Sequence, residues 1–148
     1  MKFNLSEEQI LVRDAAREFA QTELLPDVIE RDELQKFPHN LVKKMAELGF
    51  MGIMVDPKYG GSGMDTLSYA LVMEELSKVD ASASVIVSVN NSLVCFGLEA
   101  YGTEKQKEKY LIKLATGEWI GAFCLSEPEA GSDATSQSTT VVNKGDHY

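Results

Sequence analysis

Apolar side chains recur at Ile10, Leu11, Ala15, Phe19 and Ala20, a spacing that lays them along one face of a helix. Ser6 followed by Gln9 has the form of a capping box, and Glu7 and Glu8 suit the positive end of the helix dipole. Pro26 ends or kinks this segment. Beyond a charged passage from Glu30 to Lys36, Pro38 stands where a first helical turn accepts a proline. Leu41, Met45 and Leu48 then give a second helix its buried stripe, and Gly49 is a natural stop. Residues 51–64 contain Pro57, Gly60, Gly61 and Gly63 and read as a loop, a crossover between helices. The glycines could be imagined as a phosphate cradle, but no strand-then-helix context surrounds them.

Asp65 can cap a third helix whose Leu67, Ala70, Leu71 and Met73 form a broad apolar surface. Residues 81–101 are rich in β-branched side chains, which would suit a strand. The run is about twenty residues long without a turn signal and ends at Gly102, so its length predicts a buried helix. Thr103 with Gln106 repeats the capping-box spacing, Tyr110, Leu111 and Leu114 line one face of the helix that follows, and Gly117 closes it. The texture then changes. Residues 119–125 form an apolar run of strand length, a turn region rich in Ser, Thr and Gly follows, and residues 138–143 read as another strand. Lys144-Gly145-Asp146 is a turn signal with little behind it. A strand without a partner leaves an open edge, so the expectation is a fragment. It comprises a helical domain over residues 1–117 and the truncated start of a β domain over 118–148.

Composition narrows the class. With 148 residues, 44% apolar and 25% charged, the chain has a globular make-up, and about 70% of its unfolded surface could be buried. The net charge of −9 argues against a nucleic-acid scaffold or a binder of anionic membranes. It leaves room for anionic small ligands held by backbone N–H groups. Cys95 and Cys124 are expected to be reduced core thiols, and His39 and His147 are too isolated for a dedicated metal site. The N-terminus lacks the apolar core of a signal peptide. Residues 81–98 are interrupted by Ser84, Ser88, Asn90, Asn91 and Ser92, so no membrane span is expected.

The stretch Gly121-Ala-Phe-Cys-Leu-Ser-Glu-Pro-Glu-Ala-Gly-Ser-Asp-Ala-Thr-Ser136 holds the candidate chemistry. A strand delivers the chain to Ser126, Pro128 turns it, and Gly131 permits close backbone approach. Ser132 and Asp133 then present a hydroxyl and a carboxylate. Free N–H groups in such a turn can seat a phosphate oxygen. Spacing alone favours the plainer alternative, a polar loop in which Ser and Asp serve their own backbone.

That stretch resembles the signature of the acyl-CoA dehydrogenases, a hydroxyl-Glu-Pro-x-Ala-Gly-Ser-Asp block after a short strand. The segments Leu5-Ser-Glu-Glu-Gln9, Glu47-Leu-Gly-Phe-Met-Gly52, Pro57-Lys-Tyr-Gly-Gly61, Met73-Glu-Glu-Leu76 and Tyr101-Gly-Thr-Glu-Lys-Gln106 look like further landmarks of the same family. The resemblance implies a mainly α chain, made of the N-terminal helical domain followed by the first strands of the middle β domain. It implies FAD as cofactor. The main chain at Phe123 and Leu125 and the hydroxyl of Ser126 would face the flavin ring. Gly131 and Ser132 would approach the pyrophosphate, with Ser132 also reaching the acyl-CoA substrate, and residues 88–98 would lie near the acyl tail. The implied reaction is α,β-desaturation of an acyl-CoA thioester, with the catalytic base supplied by a C-terminal domain and none in this chain. Glu127, Glu129 and Asp133 are expected to cap and pair around the turn. An electron-transferring flavoprotein as acceptor, a homotetramer or dimer, a cytoplasmic home and a preference for short or medium chains complete the implied picture. The chain by itself is expected to be inactive and to bind FAD weakly or not at all. An acyl-CoA oxidase-like member and a non-catalytic helical interaction module are the alternatives.

Overall fold

The computed structural model describes residues 4–147, and the fold is mainly helical. Helix α1 (Glu7–Phe19) starts on the predicted capping box: the Ser6 hydroxyl accepts from the Gln9 N–H, and the Gln9 side chain accepts from the Ser6 N–H at 2.9 Å. The chain does not stop at Pro26. It runs through a π-helical turn (Ala20–Leu24) and a 3-10 turn (Leu25–Asp27) into α2 (Val28–Glu33), so the proline interrupts the α-helical pattern without ending the segment. Helix α3 (His39–Glu47) begins after Pro38 and ends at Gly49, whose φ of 77° is the left-handed conformation that glycine adopts without a Cβ penalty.

The buried face of α1 matches the predicted one only in part. Phe19 and Ala20 enter the core as expected, joined by Val12, Ala16 and Leu24, whereas Ile10 and Leu11 face outward, Leu11 at 71% exposure. In α3, Val42 and Met45 are buried and Leu48 is exposed. In α4 (Thr66–Ser77), capped by Asp65 as predicted, the buried residues are Ser68, Val72, Glu75 and Leu76, while Leu67 lies on the surface. Each of these segments is apolar at more than one helical phase, and packing of α1 against α4 selects which phase turns inward.

The first part of the glycine loop belongs to the core. Phe50, Met51, Gly52, Ile53 and Val55 are buried, and Phe50 meets Phe19 edge to face with ring centroids 6.3 Å apart. Burying a side chain such as Phe50 stabilises by roughly 1.5–3 kcal/mol. Beyond it the chain folds back, with the N–H groups of Ser62, Gly63 and Met64 donating to Gly52, Val55 and Ile53 carbonyls at 2.8–2.9 Å. These amides are occupied, which makes the loop a structural crossover.

Residues Ala81–Tyr101 form one helix of 21 residues: α5 (Ala81–Ser88), a π-helical stretch (Val89–Cys95) and α6 (Phe96–Tyr101). By length and composition it could cross a membrane. Here it packs on α4 and on the Phe50–Gly52 turn, and fully buries Asn90 and Cys95. The Thr103 capping box opens α7 (Glu104–Gln106), continued through a π-helical turn to α8 (Ile112–Ala115), which buries Leu111, Leu114 and Ala115 against Val55, Tyr59 and Cys95.

The two predicted strands do not form a ladder. Among the described residues, neither 119–125 nor 138–143 forms a strand, Trp119 lies in a bend, and the bridge between Glu127 and Ala130 is isolated. A strand is stable as a member of a sheet, and these two runs do not meet. Cys124 also departs from expectation, since it is exposed. Cys95 is buried, and burial pushes its thiol up to about 12.

Candidate functional site

The site residues lie on one irregular stretch that leaves the helical core after Gly117. Its root is fixed: the Trp119 N–H donates to the Lys113 carbonyl at 2.9 Å, and the Gly121 N–H donates to Asn90 Oδ1 at 2.8 Å. Gly121 passes flush against the long helix, where an added Cβ would sit 2.9 Å from Val94. From there the chain moves out to the surface. Phe123 and Leu125 are 50% and 42% exposed, large apolar side chains about half open to solvent, and Ser126 beside them is exposed.

The bend that follows is built by its own hydrogen bonds. Glu127 and Ala130 exchange N–H and carbonyl at 3.0 and 3.1 Å, with Pro128 and Glu129 at the tip, and Ala130 is buried under it. The Glu127 carboxylate accepts from the N–H groups of Ser138 at 2.7 Å and Thr139 at 3.2 Å, tying the bend to the returning chain. Asp133 caps the 3-10 turn Ala134–Ser136, accepting from the Thr135 N–H at 3.2 Å and from the hydroxyls of Ser136 and Thr135. Hydrogen bonds from Thr139 and Ser138 hold Glu127 below the usual carboxylate range, and those from Ser136 and Thr135 do the same for Asp133. Both are therefore ionised and weakly basic at neutral pH. The predicted capping role is the one they fill, through hydrogen bonds rather than ion pairs.

The remaining donors are free. Among the described residues, the N–H groups of Phe123, Leu125, Ser126, Gly131 and Ser132 have no partner in the chain, nor do the hydroxyls of Ser126 and Ser132. Gly131 does not adopt the left-handed backbone conformation, and a Cβ added there would meet nothing within 4 Å. Neither conformation nor packing inside this chain demands glycine at that position. A ligand pressed against the backbone would demand it. Free donors around a small residue fit an anionic, hydrogen-bond-accepting ligand such as a pyrophosphate.

A model of the acyl-CoA dehydrogenase N-terminal domain matches residues 6–118. The chain belongs to the acyl-CoA dehydrogenase family. Among curated members, a short-chain specific acyl-CoA dehydrogenase of Clostridium acetobutylicum is 51% identical over 148 residues, all of this chain and 39% of that protein. Among solved members, butyryl-CoA dehydrogenase from Megasphaera elsdenii superposes with a TM-score of 0.87 at 42% identity, covering 94% of this chain and 37% of that one. A chain in a structure described as the electron transferring flavoprotein of Acidaminococcus fermentans reaches 0.94 at 49% identity, covering 99% and 38%. The chain spans about two fifths of the length of the curated relatives it matches.

Asn90 and Asn91 are the residues that the sequence reading passed over, having taken them as interruptions of an apolar run. The signal was present, since an amide in the middle of a buried helix must find partners. Both are buried and fully engaged.

Proposed function

We propose that this chain supplies the helical front and part of the ligand seat of an FAD-dependent acyl-CoA dehydrogenase, an oxidoreductase that converts an acyl-CoA thioester to the trans-2-enoyl-CoA. The carrying observation is the bend from Ser126 to Ser132, where unpartnered donors surround a glycine that nothing inside the chain requires. A glutaryl-CoA dehydrogenase of Mycobacterium smegmatis solved in complex with FADH2, 35% identical to this chain with a TM-score of 0.86, supports the choice of cofactor.

In this reading, residues 1–117 are the helical domain and 118–148 open the β domain. FAD, when bound, would supply the hydride acceptor for the desaturation. The main chain at Phe123 and Leu125 would face its ring, and those exposed apolar side chains would help to keep water from it. The Ser126 hydroxyl would donate toward the ring's heteroatoms. The N–H groups of Gly131 and Ser132 would receive the pyrophosphate, and the Ser132 hydroxyl would reach the acyl-CoA. Glu127 and Asp133, committed to the bend and weakly basic, do not take the proton, so the base lies outside these residues. An electron-transferring flavoprotein as acceptor is supported by the Etf-complex relative from Acetobacterium woodii, 45% identical to this chain. We extend the proposal to a cytoplasmic homo-oligomer acting on short or medium acyl chains.

The test is Gly131→Val in the full-length enzyme. A Cβ there meets nothing within 4 Å in this chain, and melting of the apoprotein is measured alongside so that a loss of fold is told from a loss of binding. The variant's dissociation constant for FAD should rise about tenfold or more, the loss of one or two charge-assisted hydrogen bonds. Wild-type flavin content and affinity in the variant would refute the assignment.

A further inference from the structure

Asn90 is completely buried in the middle of the long helix, within its π-helical stretch. Its Nδ2 donates to the Met51 carbonyl at 2.7 Å and to the Leu114 carbonyl at 3.1 Å, while Oδ1 accepts from the Gly121 N–H at 2.8 Å. One amide therefore joins the buried turn, the end of α8 and the root of the stretch that carries the candidate ligand seat. A buried amide with all of its partners in place is held firmly, because moving any partner strands a polar group in the core.

Asn91 provides an internal comparison. Its Nδ2 donates to the carbonyls of Phe50 at 2.8 Å and Val87 at 2.9 Å, and its Oδ1 accepts from the Ile53 N–H at 2.8 Å. The chemistry and burial match those of Asn90, but all of Asn91's partners lie in the helical core. Only Asn90 reaches the outgoing stretch. The Gly121 N–H is also the last backbone donor tied to the chain before the bend: among the described residues, none from Ala122 to Ser126 has a partner. Phe123 lies two residues beyond that tie, about 7 Å along an extended chain.

We propose that Asn90 is a positioning residue for the flavin-facing stretch, fixing the point at which Gly121 leaves the core and thereby the seat formed by Phe123, Leu125 and Ser126. The inference rests on the reading of that stretch given above. It assigns the fold's buried amide pair two separate tasks: Asn91 secures the core, and Asn90 transmits the position of the core to the ligand seat. A displacement of about 1 Å at such a seat is enough to degrade binding and reactivity severely.

The experiment compares Asn90→Ala, Asn91→Ala and Asn90→Asp in the full-length protein. It measures melting of the apoprotein, hydrogen exchange of the Gly121 amide without flavin, FAD affinity by titration, and the visible absorption band of the bound flavin. Both alanine variants should lower the melting temperature. N90A alone should speed exchange at Gly121, weaken FAD about tenfold or more and shift the flavin band, whereas N91A stays within about twofold of wild type in affinity. N90D still accepts from the Gly121 N–H while giving up both donors, so it should bind FAD more tightly than N90A although it is no more stable. If N90A does not fold, Asn90→Ser and Asn91→Ser carry the same comparison, since serine is too short to reach Gly121. Unchanged exchange at Gly121 in N90A, or equal loss of FAD affinity in N91A, overturns the inference alone. Faster exchange with unchanged FAD affinity overturns the flavin assignment of the stretch and the inference with it.

Discussion

Glu75 is the carboxylate around which α1 and α4 are joined. Arg17 grips it with two nitrogens, Nη2 at 3.0 Å and Nε at 3.1 Å, and Lys78 adds a third contact at 3.0 Å. Those hydrogen bonds, Arg17's first, outweigh the burial that opposes them and hold the carboxyl down to about 2. The unfolded chain titrates this group near its ordinary 4.5. The stabilisation is therefore complete above pH 4.5 and is lost as the pH falls from there toward 2. Glu75→Gln should cost about 1–2 kcal/mol at pH 7, a modest figure because Arg17 and Lys78 stand half in solvent. In urea titrations the gap between variant and wild type should close as the pH drops through that window; a gap independent of pH would show that packing, not charge, holds the joint. Residue-scale chemistry of this kind was partly legible in the sequence. Caps depend on spacing within one turn, so Ser6 with Gln9, Asp65, and Thr103 with Gln106 could be read directly. Arg17 with Glu75 spans 58 positions, and nothing local announces it.

Among the elements, helices were legible and the faces they bury were not. The 3.6-residue period marks α1, but Ile10, Leu11, Val12, Ala15 and Ala16 offer apolar residues at competing phases, and only contact with α4 decides that Val12 and Ala16 turn inward. The glycine loop was legible as irregular and illegible as core. What makes it core is the close return of its backbone: a Cβ on Gly61 would fall 2.1 Å from the Val55 carbonyl oxygen. Backbone cannot yield as a flexible side chain can. Gly61→Ala should thus destabilise by about 2 kcal/mol or more through overpacking, read as a lowered midpoint in thermal or urea unfolding. A neutral substitution would mean that the Gly52–Val55 turn is softer than its buried hydrogen bonds indicate.

For the molecule as a whole, the decisive contrast lies between residues up to Gly117, which enclose both apolar clusters, and residues 118–147, of which Ala130 alone is buried. Strand propensity in 119–125 and 138–143 was legible, but pairing is a property of two strands together, and these do not meet. The same contrast bears on how the candidate site could be read: motif order exposed Ser126, Gly131 and Ser132, whereas the tie from Asn90 to Gly121 crosses 31 positions and appears only in three dimensions. Exposed, unpaired backbone is the preferred target of proteases. Chymotrypsin acting briefly on the 148-residue chain should cut first at Phe123 or Leu125, both exposed, while buried Phe19, Phe50 and Tyr59 are spared. The surviving N-terminal piece should keep its helical circular dichroism and lose little of its melting temperature, because few of its buried contacts depend on what was removed. Mass spectrometry of the early digest locates the cuts. First cleavage inside α1 or α4, or collapse of the helical signal once the tail is gone, would show that residues 118–147 belong to the same cooperative unit as the helices and would move the domain boundary proposed at 117.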